Sequence, residues 1–210
     1  IVAAIGVRPN THLAEGTDLA SAAGSGLRVD RLLQTRAAGV HAAGAVADVF
    51  NPQTGTFESR GQWYFAFQQG RLAGAALAGA EIPRGAELGA MGAFWHATQL
   101  GALRVLAAGA PMLERPGDAA YEVLSNGSSG FHRRLVLRDN RLVGYLAVGS
   151  DLPSGLAIKR IIDEELDVRD TVRQLMSEDF DARAFFSRLP ITLSRPAHQR
   201  PTSGRLSCGA

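Results

Sequence analysis

Five short runs follow one another between Ala93 and Gly149: "AFWHA", "ALRVLAAG", "AAYEVLS", "FHRRLVLRD" and "RLVGYLAVG". Each has strand length. The last three are divided by Asn126-Gly127 and Asp139-Asn140, dipeptides suited to the tight turns of hairpins. Behind them "SGLAIKRIIDEEL" places Leu156, Ile158, Ile161, Ile162 and Leu166 on the apolar side of a helix, with Asp163, Glu164 and Glu165 expected on its outer side. A second helix is expected around Val168 to Met176 and a third at Asp181 to Arg188. Strands followed by helices make an α+β unit. His132, Arg133 and Arg134 are expected to form a solvated strand face. Neither they nor the acidic trio has metal-ligand spacing, so no metal site is expected.

The first third has a different grain. Ile1 to Ile5 is a continuous apolar run closed by Gly6, as in a buried parallel strand. Pro9 then makes a turn and holds Arg8 extended. Leu27 to Val29 reads as a short strand, residues 51–62 as a loop, and Trp63 to Leu77 as a helix. On that helix Ala66, Gly70, Ala73 and Leu77 share a small-residue face. "GAEIPRGAELG" is a linker and the expected domain boundary. The expected division is 1–82, 83–186 and a disordered basic tail at 187–210.

Composition narrows the partners. The net charge of +2 is too small to argue for nucleic acid, and four arginines without an acid lie in the tail, leaving 18 basic against 20 acidic residues elsewhere. The single cysteine, Cys208, can form neither an intrachain disulfide nor a redox pair. No window has the length of a membrane span, and the start lacks the charges of a signal peptide. A cytoplasmic protein with no membrane partner is expected. "IVAAIG" reads as a strand already under way, so the chain is expected to begin inside a domain.

One stretch asks for a ligand: T35-R-A-A-G-V-H-A-A-G-A-V-A-D48. Val40 to Ala43 reads as a short buried strand, Gly44 as a close turn, and the small residues beyond it as a helix start. Such a junction points backbone N–H groups at whatever lies beyond the strand, a common way to hold a phosphate or a sugar hydroxyl. An ordinary strand-to-helix turn is the alternative.

Three blocks in this order, "IVAAIGVRPNTHLAE", "LRVDRLLQTRAAGVHAAGAVAD" and "WYFAFQQGRLAGAALAG", resemble the second half of FAD-dependent pyridine nucleotide-disulfide oxidoreductases. The nearer likeness is to the ferredoxin and rubredoxin reductases, the nitrite reductase large subunit and the apoptosis-inducing-factor type. It covers residues 1–80 well. It continues more loosely through "AFWHATQLGALRVLAAG" and "RLVLRDNRLVGYLAVG". The implied fold is α/β plus α+β: a partial Rossmann-like FAD/NAD(P)-binding portion, then a smaller α+β interface domain.

The resemblance implies the site. Thr35 and Val40 to Gly44 match the second FAD-binding motif, in which an aspartate normally follows the glycine and bonds the ribityl chain. Here that residue is Ala45. The lost charge-assisted bond amounts to about 1.5–3 kcal/mol, roughly ten- to hundredfold in affinity. Asp48, one turn on if a helix starts at Gly44, could compensate only after a backbone shift. Gly6, Arg8, Pro9 and Asn10 match a loop where Gly6 lets the backbone approach the cofactors; a plain turn is the alternative for Arg8. Gln62 and Trp63 fall at the helix start that faces the flavin pyrimidine carbonyl, whose partial positive end would stabilise a reduced flavin. Trp63 as a core anchor is the other reading. Phe94 and Trp95 match an aromatic segment beside the isoalloxazine ring. His96 is expected to be a strand histidine facing solvent, without a catalytic role.

No G-x-G-x-x-G follows a strand, so both nucleotide fingerprints and any redox cysteine are expected on a missing N-terminal half, in cis or on another chain. The expectation is the C-terminal half of an FAD-dependent NAD(P)H oxidoreductase. It would have a weakened FAD site, an open choice of electron acceptor, no catalytic residue of its own and little activity alone. It could assemble as a homo-oligomer. The alternative is a non-catalytic subunit or interaction module derived from the same fold.

Overall fold

The computed structural model describes residues 6–19, 22, 24–51, 55–83, 85–86, 91–112, 121–178 and 180–188. The expected strand at 1–5 lies outside these residues; of the tail expected at 187–210, Ser187 and Arg188 instead end a helix, and 189–210 lie outside the described residues.

The first unit is a small mixed sheet with one helix on it. Strand β1 (Leu27–Arg28) runs parallel to β2 (Ala47–Asn51), which pairs antiparallel with β3 (Thr56–Ser59). Helix α1 spans Trp63–Leu77, the range its composition predicts. Its buried face is Phe65, Gln69, Leu72 and Ala73, whereas Gly70 and Leu77 are exposed. The core selects the side with Phe65 and Leu72, because burying large apolar area outweighs the close approach that glycine and alanine offer. Val29, Leu33, Ala42, Ala47, Val49, Leu72 and Ala73 form the core beneath it.

The loop expected at 51–62 holds β3 instead. Phe57 lies edge-on to Phe50 at 5.4 Å, directly opposite it across the pair, and beneath Arg28, so a cross-strand aromatic pair makes a strand where polarity suggested none.

The second unit is a five-stranded antiparallel sheet in the order β4-β5-β8-β7-β6. Its strands are β4 (Trp95–Leu100), β5 (Leu103–Gly109), β6 (Glu122–Ser128), β7 (Phe131–Arg138) and β8 (Arg141–Gly149). Asp139 and Asn140 sit at φ 52° and 59°, the hairpin turn their sequence predicts. Asn126-Gly127 does not turn. It lies inside β6 opposite Arg133 and His132, and the chain reverses at Ser129-Gly130, with Gly130 at φ 80°. Gly127 answers a crowding need instead: a Cβ there would lie 2.8 Å from His132 Nδ1.

Helix α2 (Gly155–Asp163) packs across the sheet through Ile158, Ile161 and Ile162, while Leu156 is half exposed. A 3-10 turn leads into α3 (Val172–Leu175), and α4 (Ala182–Arg188) follows. Leu106, Leu135, Tyr145, Ile158, Ile161 and Leu175 lie at the centre of this core. The α/β plus α+β expectation is met.

Two charged clusters differ from their sequence reading. Arg133 is fully buried, its guanidinium donating to the carbonyls of His132, Val148 and Asp151 and lying over Phe131. Arg134 donates to Pro111 O at 3.0 Å. These arginines hold carbonyls of the sheet and of the loops beside it, and are not a solvated face. Asp163 likewise turns inward: it pairs with the buried Lys159 and accepts the Ala93 N–H at 2.6 Å, while Glu164 and Glu165 do face out.

Candidate functional site

The Gly44 stretch is arranged differently from its sequence reading. Val40 is exposed, and only an isolated bridge from His41 to Gln34 marks the expected strand. Gly44 to Val46 forms a single 3-10 turn, and the chain then runs into β2 rather than a helix. Gly44 at φ 80° is the glycine-requiring position that the sequence indicates. Beta-branched and apolar residues after Ala47 explain the strand: Val49 is fully buried and Asp48 pairs with Ser59 across the sheet.

That correction decides the role of Asp48. Its carboxylate accepts the Gly26 N–H at 2.9 Å on the β1 side. It therefore does not compensate for Ala45.

The turn is docked on α1. Gly44 N–H donates to Gln69 Oε1 at 2.7 Å, and Ser59 Oγ donates to Ala45 O at 2.8 Å. Thr35 is buried; its hydroxyl donates to Val40 O at 2.9 Å and accepts from Ala37 N–H at 3.2 Å, closing the loop before the turn. Sequence reasoning missed Gln69, although a polar residue on the inward side of an apolar helix is the signal that finds it. Ala45 itself is exposed.

Helix α1 begins next to this turn without a cap. Gln62 is the N-cap residue with extended backbone, yet its side chain makes no capping bond, and no acidic residue occupies the first turn. The first amides of the helix keep their donor capacity and its positive dipole end is uncompensated. Trp63 is 78% exposed, so it is not a core anchor; it stacks on Phe67 at 5.5 Å. Gly6, at φ 90°, is exposed, and no described contact joins it to this turn.

The second unit meets α1 at its start. Gln62 Nε2 lies 2.8 Å from His96 Nδ1 on β4. Tyr64 meets Trp95 edge-on at 5.8 Å, and Phe65 stacks on Phe94 at 6.5 Å. Alternation along β4 sends Trp95 and His96 to opposite faces. Trp95 packs towards Gly155, where an added Cβ would lie 2.6 Å from its ring, and its Nε1 is a buried donor without a partner among the described residues. His96 is the β4 side chain that shares the open face with Gln62, and it is oriented rather than free in solvent.

Beneath this junction lies a charge cluster that the sequence did not reveal. Arg60 is 3% exposed, bonds Glu58 at 2.9 Å and lies over the rings of Phe65 and Phe94. Lys159 approaches the same Phe65 ring at 5.9 Å while paired with Asp163. Burial pushes Arg60 and Lys159 down and Asp163 up, and the opposite charges nearby counter each shift. Two cations over one aromatic ring, each paired with a carboxylate, link α1, α2 and the end of β3. Among the described residues no group of His, Cys, Asp and Glu could hold a metal, and no helix is long and apolar enough to cross a membrane.

Comparison with known proteins fits this geometry. Residues 1–70 match the sequence model of a family described as pyridine nucleotide-disulphide oxidoreductase. The fold is similar to that in the covalent putidaredoxin reductase–putidaredoxin complex (19% identity, TM-score 0.64), covering 87% of this chain and 40% of that one. It is also similar to an FAD-dependent pyridine nucleotide-disulphide oxidoreductase from Desulfovibrio vulgaris (21% identity, TM-score 0.63, 87% of this chain and 48% of that one). A third similar structure is the NADH:rubredoxin oxidoreductase from Clostridium acetobutylicum (20% identity, TM-score 0.54, 80% and 40%). No curated protein matches the sequence. The chain thus shares the fold of these structures, and its residues 1–70 carry the sequence pattern of the matched family, in line with the resemblance. It spans less than half the length of each of these structures.

Proposed function

We propose that this chain is the C-terminal half of an FAD-dependent NAD(P)H oxidoreductase. The observation that carries the reading is the docking of the Gly44 turn on the uncapped helix α1 through Gln69, with Ser59 of β3 holding its other side. This joins the two elements that the family resemblance assigns to the flavin.

The donor set suits one end of that cofactor better than the other. Open first-turn amides of α1, with Gln62 and His96 beside them, match the acceptor-rich pyrimidine edge of an isoalloxazine. At the ribityl end Ala45 offers no acceptor, the Gly44 amide is held by Gln69 and the Thr35 hydroxyl by its own loop. The site is a weakened one.

When bound, the flavin supplies the hydride and electron chemistry; the protein supplies placement and electrostatics. The positive end of α1 favours negative charge at its N-terminus, and so favours the reduced cofactor. Gln62 and Trp63 stand at that end, and Trp95 holds the second unit against it through Tyr64. NAD(P)H binding belongs to a part that carries the nucleotide fingerprints, so the chain alone does not turn over NAD(P)H. The acceptor is a small electron-carrier protein, in keeping with the putidaredoxin and rubredoxin partners named for two of the similar structures. On this reading β4 to β8 and the helices after them make up the interface domain at 83–186, which meets the cofactor-binding portion at 1–82 along α1.

The test is a visible-absorption titration with FAD of the chain and its Ala45→Asp variant. A perturbed flavin band, saturating at about ten- to hundredfold lower FAD in the variant, is expected. An unperturbed spectrum in both would overturn the reading.

A further inference from the structure

We infer that His96 is a flavin-recognition residue and Gln62 its positioning residue, an assignment that rests on the flavin reading above. The argument starts from the 2.8 Å contact between Gln62 Nε2 and His96 Nδ1. An amide nitrogen only donates, so Nδ1 accepts in this arrangement and the ring proton resides on Nε2. The imidazole then has one fixed donor, Nε2–H, directed away from Gln62.

The strand geometry says why this donor matters. Trp95 faces the core of the second unit, so it leaves the open face of β4 to His96. His96 is exposed, and the side chain that orients it belongs to the N-cap of α1. Beside the ring contacts of Tyr64 and Phe65, the two units thus also meet through a polar pair. An exposed pair of uncharged side chains adds little to stability, since water satisfies both groups nearly as well. Its effect is orientation. A donor held at the start of an uncapped helix suits a carbonyl on the edge of a planar heterocycle, and the pyrimidine edge of the isoalloxazine carries two such carbonyls.

The experiment is fluorescence titration of the full chain with riboflavin and with FAD, for wild type, His96→Leu, His96→Asn and Gln62→Leu. Thermal melts establish that each variant folds. His96→Leu is expected to weaken both flavins by the same factor, about three- to tenfold, the effect of one neutral hydrogen bond. His96→Asn, which keeps an N–H donor, should recover part of it. Gln62→Leu should give a smaller loss, together with a change in the His96 ring nitrogen-15 shifts, which report the tautomer. Equal riboflavin affinity in wild type and His96→Leu overturns the assignment alone. A loss confined to FAD also overturns it, because the contact would then lie outside the ring. Failure of the wild type to bind either flavin overturns the flavin reading and the assignment together.

Discussion

Replacing Gln69 by methionine tests the junction on which the site is built. Gln69 is fully buried on α1, and its Oε1 accepts the N–H of Gly44, itself a buried residue. Methionine keeps the unbranched length and removes the acceptor. The Gly44 amide is then left without its partner in a place water does not reach. An unsatisfied buried donor costs about 1–3 kcal/mol. Gln69 has a further interaction beyond this bond, so the upper half of that range is expected. For a chain of this size each kcal/mol lowers the melting temperature by about 2–4 °C. Gln69→Met should therefore melt roughly 4–12 °C below wild type, and its urea midpoint should fall without a change in slope. A melting temperature within 1 °C of wild type, taken as about the resolution of a careful melt, would refute the claim that this bond fixes the turn.

Three further outcomes follow from buried polar groups. Burial pushes the Tyr145 hydroxyl up to about 12 from 10.0, so the folded chain holds that proton more tightly than the unfolded one. The stability this adds is complete below pH 10 and is lost as pH rises towards 12, by up to about 3 kcal/mol. Urea titrations across this window should show the loss, and Tyr145→Phe should flatten it. Asp163→Asn deprives the buried Lys159 of its counter-charge and should cost about 3–5 kcal/mol at neutral pH. Because burial already pushes Lys159 down, the deficit should shrink as pH rises, and a pH-independent deficit would contradict the pairing. Arg133→Lys should destabilise nearly as much as Arg133→Met in denaturant titrations, because an ammonium cannot reach the three carbonyls that the guanidinium spans.

Much of the fold was legible where one physical cause dominated. The Asp139-Asn140 turn demands positive φ, which those residues tolerate, and the chain turns there. The same logic failed at Asn126-Gly127, where the glycine serves close packing against His132 within paired strands. The helix at Trp63–Leu77 is legible, but only part of its face is: of the expected Ala66, Gly70, Ala73 and Leu77 only Ala73 is buried, beside Phe65, Gln69 and Leu72. Arg133 and Asp163 look solvated because charge normally is. Their burial depends on Val148, Asp151 and Ala93, partners from distant segments that no local pattern reveals; only Lys159, four residues before Asp163 on α2, is a local partner.

The site was partly legible for the same reason. Gly44 was identified by backbone need, and the structure agrees. The role given to Asp48 assumed a helix after Gly44, and β2 replaced it. Gln69 lies 25 residues from the amide it holds, and His96 lies 34 from Gln62. Such pairs follow from tertiary packing of α1 and β4, and sequence spacing carries no trace of them.

The most direct test of the central claim is an amide chemical-shift map of the full chain during FAD addition. The account predicts saturable shifts centred on Gly44 and Ala45, on the first turn of α1 at Gln62 to Tyr64, and on His96 of β4. Saturable shifts confined to other surfaces, with these residues unmoved, would contradict it.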